Sequence, residues 1–397
     1  MRKIFLTAIA LLSMASASVF GMYGVDTDWI NFLTHGNQFR ARLDQLGFTL
    51  GNDTIKGTFG FDNNTSYGGV YGELLSKAST SSTPAQAGTS GNEYNFRPSI
   101  SMGLGYTSSL ISVGVGYSAT LGPRVNKYNG KADAKLVQQA AHTPVLVLNA
   151  MDNAFRMAIP IQVYALKDKT PTGDMSINAV SVDSQFRYYT GLDMLPQIRL
   201  YLRYGGGNYK NETQTAKIGE SFGFDFRLYF GSMVEEVALQ PYVKLVYNGA
   251  LGKYHSNTRV EAVKIMNSGY NVSNLQLAKS AWNLNLVAGL GLTANSDIVS
   301  LYLEPSLGLK VEQAGSTDKN AKEIYSLGYG VYAEIYITPL KNLEWYFEAQ
   351  LGNLGGSGTY TTTDAATGTT TTHQVSFTKL GLGFNATTGI TWYLPAL

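Results

Sequence analysis

The sequence predicts an all-β chain: a transmembrane antiparallel β-barrel of about 14–16 strands with long extracellular loops. Three observations carry that prediction. Apolar and polar residues alternate with period two along nearly the whole chain, the N-terminus reads as an export signal, and connections between the alternating stretches are short at one end and long at the other. Period two is the repeat of an extended strand with two unlike faces.

The export signal comes first. Arg2 and Lys3 precede the apolar run I-F-L-T-A-I-A-L-L-S-M-A, and small residues follow. A basic start, a short apolar core and small residues define a secretory signal rather than a spanning helix. Residues 1–21 are therefore expected to be removed, with cleavage after Ala17 or after Gly21, and no cysteine follows to take a lipid anchor. Residues 22–397 then form one barrel domain, in which 22–37 is an N-terminal segment either lying in the periplasm or supplying the first strand. No other stretch reaches the roughly 18–20 apolar residues of a membrane helix. With Cys 0 there is no disulfide framework, and a net charge of +2 gives no sign of a nucleic-acid partner. Gly 43 and Tyr 26 in 397 residues suit an alternating β protein.

The strands follow in order. Weaker candidates lie at 38–50, 54–61, 143–150, 176–190 and 237–247. Clear alternation marks 100–106, 111–121, 155–165, 197–204, 221–230, 282–294, 299–311, 325–337, 343–351 and 380–394. In the last of these Leu380, Leu382, Phe384, Ile390 and Trp392 share one face, while Gly381, Asn385, Thr387, Thr391 and Tyr393 share the other. That run is longer than the average strand of about 5–6 residues, as a membrane crossing requires. The total is fifteen, whereas single-chain barrels normally have an even number. Sixteen follows if 22–37 holds a further strand, fourteen if one weak candidate is no strand. The only helical hint is a short amphipathic turn at D-W-I-N-F-L, residues 28–33.

The two faces assign themselves. Aromatics gather at the ends of the apolar stripes, at Tyr106, Tyr204, Phe230, Tyr247, Trp282, Tyr325 and Trp392, where amphipathic rings form the interfacial girdles of such barrels. Opposite the apolar stripes lie Arg40, Arg42, Arg199, Arg203, Asp225, Arg227, Lys244, Glu304, Lys310, Glu334, Glu344 and Glu348. In a barrel these are pore-lining candidates; they either border an aqueous channel or pair with one another and hold an inward-folded loop. The long connections include two polar, low-complexity tracts, 76–92 and 359–373, expected to be mobile and tolerant of change.

No chemistry is signalled. His35, His142, His255 and His373 have no metal-ligand spacing and fall outside the clear strands. G-E-S-F-G at 219–223 matches the G-x-S-x-G pattern, but Phe222 begins an alternating strand and no helix follows to make a nucleophile elbow. G-L-G-L-T-A from Gly289 lacks a βαβ context. The expectation is no enzyme, no cofactor and no metal site.

The mature N-terminus carries a resemblance. Residues 32–48, F-L-T-H-G-N-Q-F-R-A-R-L-D-Q-L-G-F, resemble the variable surface proteins of intestinal spirochaetes. That resemblance implies an abundant outer-membrane protein with surface-exposed loops that vary under host immunity. It also implies a homo-oligomer or multimeric surface complex, with outer-membrane lipid, host antibodies or surface ligands as partners. The residues themselves leave open a general diffusion porin with a mixed-charge lumen.

Overall fold

A computed structural model describes residues 29–42, 45–63, 98–126, 135–170, 173–234, 237–253, 258–260, 276–352, 358–363, 370–375 and 383–395. The predicted signal, the tract 76–92 and His255 lie outside them. After a 3-10 helix at Trp29–Thr34 come β1 (Gln38–Arg42), β2 (Gln45–Gly51), β3 (Ile55–Asn63), β4 (Pro98–Tyr106), β5 (Ile111–Asn126) and β6 (Lys135–Ala150). Then follow β7 (Phe155–Thr170), β8 (Gly173–Tyr189), β9 (Gln197–Lys210), β10 (Thr215–Tyr229), the short β11 (Ser232–Val234), β12 (Val237–Ala250) and β13 (Trp282–Asn295). The chain ends with β14 (Val299–Gln313), β15 (Ile324–Leu340), β16 (Leu343–Gly352), β17 (Gly358–Thr363), β18 (Thr370–Val375) and β19 (Gly383–Tyr393).

Consecutive strands pair antiparallel, and β1 pairs with both β2 and β19, so the 17-stranded sheet closes on itself. Leaving out the three-residue β11, which extends the ladder beside β12, a ring of 16 strands remains. Closure pairs Gln38 with Tyr393 and Arg42 with Gly389, joining residues near the two ends of the chain. In hydrocarbon an unpaired backbone group costs several kcal/mol, so this seam lets the sheet cross a bilayer with no open edge.

The sixteenth strand does not come from 22–37. It arises because 38–50 is two strands, β1 and β2, paired antiparallel. The apolar face moves from odd positions in β1 (Phe39, Ala41) to even positions in β2 (Leu46, Phe48, Leu50), a change of phase that marks the two strands. Residues 29–34, within the expected periplasmic or first-strand segment, are instead the 3-10 helix, with Trp29, Ile30, Phe32 and Leu33 buried.

Several strands are longer than the alternation suggested. β5 and β6 reach 126 and start at 135, against expected limits of 121 and 143, and β9 and β10 continue to Lys210 and from Thr215. A tilted strand crosses a bilayer in about 9–11 residues, so the excess stands beyond the membrane. Both faces meet water there and hydrophobic alternation disappears while the hydrogen-bond ladder continues. His142 consequently lies on β6, exposed and stacked on Tyr117, rather than in a loop. His373 lies on β18.

Much of the tract 359–373, expected to be unstructured, pairs as the hairpin β17–β18, with Thr361 opposite Thr372 and Thr362 opposite Thr371. Threonine is β-branched and strand-forming, and cross-strand Thr pairs are favourable.

One rim carries the short turns 52–54, 107–110, 151–154, 190–196 and 296–298, together with the beginning of β1 and the end of β19. The opposite rim carries the connections 64–97, 127–134, 251–281, 314–323 and 353–382. That rim also carries the tight turn 211–214, and only two residues separate β1 from β2 and β7 from β8. By the habit of such barrels the short-turn rim is periplasmic.

The outer wall is an apolar belt: Leu104, Val115, Leu146, Leu286, Leu307 and Leu327 are all exposed, on strands spread around the ring. Tyr106 and Trp392 end this belt near the short-turn rim, and Tyr325 and Trp282 near the other. Tyr204 is mid-strand in β9, because β9 runs on past the end of its apolar stripe. Leu286→Arg should block insertion, since Arg at mid-depth on a lipid face costs about 2–4 kcal/mol, whereas the neighbouring interior Asn285→Arg should assemble. Heat-modifiable gel mobility of the two membrane-extracted variants checks this; equal assembly would refute the assignment of faces.

Candidate functional site in the barrel interior

All twelve predicted pore-lining residues project inward, and each sign is concentrated in one part of the wall, with Arg40, Arg42 and Lys310 among the carboxylates and Asp225 among the cations. The interior is divided into a basic arc on β7–β12 and an acidic arc on β14–β16.

The basic arc is built by register. Arg156 on β7 stands opposite Arg187 on β8, Arg187 opposite Arg199 on β9, Arg199 opposite Arg227 on β10, and Arg227 opposite Lys244 on β12. Opposed residues have Cβ atoms about 4.5–5.5 Å apart, and like charges so placed repel. Two aspartates just above the row relieve part of it. Asp225 contacts Arg227 at 2.7 Å, Lys244 at 3.7 Å and Arg203 at 3.8 Å. Asp183 contacts Arg203 at 3.2 Å and Arg259 at 2.9 Å. Aromatic faces hold the guanidinium planes: Arg156 over Tyr189 at 4.6 Å, Arg199 over Tyr229 at 4.5 Å and Arg227 over Tyr201 at 4.8 Å.

The acidic arc is held by tyrosines. Tyr242 donates to Glu304 at 2.9 Å, and the Tyr302 hydroxyl donates to the same carboxylate. Tyr332 and Tyr336 donate to Glu334 at 2.5 and 2.7 Å, and Tyr393 donates to Glu344 at 3.2 Å. Glu348 stands directly opposite Glu334 in the ladder and is met by Arg42 at 2.6 Å. Arg40 donates to Thr391 at 3.2 Å, and Lys310 pairs with Glu312. The tyrosines thus supply hydrogen bonds without adding charge, which is what a buried carboxylate needs.

Part of the interior is occupied. The 3-10 helix lies on the inner wall of β4–β7, in one cluster with Val145, Val147 and Ala158. Four glycines flatten that wall for it. A Cβ at Gly103 or Gly116 would stand 2.6 or 2.3 Å from the Trp29 ring, and one at Gly105 would stand 2.2 Å from Leu33; Gly114 lies beside the same side chain. The helix is anchored by Asn31, whose Oδ1 accepts from Arg156 and Arg187 at 3.0 Å each. Arg156 also donates to Thr34 at 3.1 Å, and Lys56 donates to the His35 carbonyl at 2.6 Å. Burying each of Trp29, Phe32 and Leu33 is worth about 1.5–3 kcal/mol, which makes this segment an integral plug.

A second insertion comes from the β12–β13 connection. Val260 is buried against Ala141, Tyr164, Ile177 and Ala179, and its N–H donates to Ser221 Oγ at 2.7 Å. Ser221, the serine of G-E-S-F-G, is therefore an interior residue of a strand.

Sequence reasoning missed Arg156, Arg187, Asp183 and Arg259, as well as the tyrosines around the carboxylates. Arg156 sits opposite the apolar stripe of β7 and was legible from its phase. Arg187 was hidden in a weakly alternating strand. Replacing Arg42 by Met should strand Glu348 in the wall and destabilise the barrel by about 3–5 kcal/mol. Adding Glu348→Gln should restore much of that loss in urea unfolding; a double variant as unstable as the single would contradict the pairing.

Two solved structures are similar over almost the whole chain, both at 11% identity. OmpT, an outer membrane protein of Vibrio cholerae, is matched over 90% of this chain and 96% of its own, with a TM-score of 0.32. The transport unit of the autotransporter AIDA-I from Escherichia coli is matched over 97% of each chain, with a TM-score of 0.31. None of the curated proteins compared with the chain matches it. A family model described as Serpulina hyodysenteriae variable surface protein covers residues 2–393. A surface-protein family spanning nearly the whole chain accords with a closed barrel wearing an apolar belt: this outer-membrane barrel belongs to the Serpulina hyodysenteriae variable surface protein family.

Proposed function

We propose that the barrel is chiefly a platform for antigenic surface, exported by its N-terminal signal and presenting its long-connection rim to the outside. The observation that carries this reading is the filled interior: the Trp29–Thr34 helix packs on one wall, and Val260 is inserted from the long-connection side. A filled barrel offers little to solutes and much to whatever meets its rim. Loop sequence can then change without touching strand pairing. Antibodies or host surface ligands would meet those connections, and neighbouring copies in a multimer would pack on the outer wall.

The second reading is a diffusion pore with a mixed-charge lumen, which the charged interior wall favours. It requires both insertions to move aside.

Two measurements separate the readings. An epitope tag inserted in 76–92 should be labelled by antibody on intact cells, and one in the turn 107–110 should be labelled after permeabilisation; the reverse pattern would overturn display. In planar bilayers the folded wild-type protein should be nearly silent, and Trp29→Ala combined with Phe32→Ala should produce discrete conductance steps. Large, steady conductance from the wild type would favour the pore.

A further inference from the structure

The basic row contains more positive charge than the wall neutralises. Asp225 and Asp183 account for Arg203, Arg227, Lys244 and Arg259. Among the described residues, Arg156, Arg187 and Arg199 make no ion pair with any carboxylate. Yet Arg187 and Arg199 are 1% and 2% exposed. Arginine cannot relieve such a site by losing its proton, and two buried cations beside a half-buried third are costly without a counter-charge. Asn31, Thr34, Gln197 and the Tyr189 hydroxyl are uncharged partners, and the rings of Tyr189 and Tyr229 offer their faces to Arg156 and Arg199.

A second observation points to what is missing. Arg187 Nε, Arg199 Nη2 and Gln197 Nε2 are buried donors with no hydrogen-bond partner. Gln197 precedes Arg199 by one interior position on β9 and is 5% exposed. Its Oε1 already accepts from Arg199 Nε at 2.9 Å, which leaves the amide nitrogen to donate elsewhere. Three unused donors therefore come from adjacent positions of β8 and β9, beside a third guanidinium that Asn153 fixes: the Asn153 carbonyl accepts from Arg156 Nε at 3.2 Å.

We propose that Arg156, Arg187, Arg199 and Gln197 form a binding site for a small oxyanion of the phosphate class, inside the barrel next to its short-turn rim. Arg156 is the second residue of β7, Arg187 lies two before the end of β8, and Arg199 is the third residue of β9, so the site is reached from that rim. A doubly charged oxyanion answers three cations better than a monocarboxylate, and its four oxygens can accept from donors on separate strands. The plug helix, anchored to Arg156 and Arg187 through Asn31, covers the site and leaves little room for an organic substituent. This site depends on the barrel alone and stands whether or not the loops are antigenic.

The test is calorimetric titration of the folded full-length protein in detergent with inorganic phosphate, against chloride at matched ionic strength. Saturable one-to-one binding is expected, with phosphate raising resistance to urea. Arg199→Gln and Arg187→Gln should each weaken binding about tenfold or more, the usual consequence of losing a charge-assisted hydrogen bond. Lys310→Gln, which removes the same charge from β14, four strands away from β9, should leave it unchanged. Without phosphate, Arg199→Gln should resist urea better than the wild type, because a mutually repelling charge has gone. Phosphate heats indistinguishable from chloride would overturn the site, and so would undiminished binding in Arg199→Gln or equal weakening in Lys310→Gln. Should a variant fail to fold, the wild-type titration decides by itself.

Discussion

The seam between β1 and β19 is the constraint on which the rest of the molecule depends. Five residue pairs, from Gln38 with Tyr393 to Arg42 with Gly389, turn an open sheet into a ring. In a lipid environment the sheet has no alternative, since an open edge would leave a row of unpaired backbone groups in hydrocarbon. Asn37 reinforces the join by donating to both the Gly51 and Pro395 carbonyls, at 2.9 Å each. The strands at this seam are short, β1 having five residues, while those of the opposite wall reach 17. The wall is lowest where the chain's two ends meet.

Closure creates an interior that must then be filled or wetted. This chain fills it in two ways. Small and apolar positions on β4–β7 accept the 3-10 helix, for which glycines at 103, 105, 114 and 116 provide a surface without side chains. The rest of the wall carries charge in two arcs, each satisfied differently. Carboxylates of the acidic arc are met mostly by tyrosine hydroxyls, whereas cations of the basic arc outnumber the carboxylates beside them. The plug ties the two regions together, because Asn31 takes hydrogen bonds from the same arginines that crowd the basic row.

Outside, the demands are looser. Lipid requires only an apolar face of sufficient height. Seam, plug wall and belt are fixed by packing and hydrogen bonding.

Period-two alternation determined the fold class, the inward or outward direction of every clear strand and the sides of short and long connections. These are local properties, since a strand's two faces are decided by its own residues. Strand ends were less legible, because beyond the membrane both faces are wet and the pattern fades, as at β5, β6, β9 and β10. The split of 38–50 into β1 and β2 was legible only as a change of phase, from apolar odd positions at Phe39 and Ala41 to apolar even positions at Leu46, Phe48 and Leu50, with too few residues on either side to read as two crossings. The apolar turn around Trp29 was visible, but nothing local says that it lies inside the barrel. Arg156, Arg187, Arg199 and Arg227 each look like an ordinary polar-face residue in their own strands. That they form one row follows from the register of four strands, and register is set by closure of the whole ring; only the tertiary structure decided it.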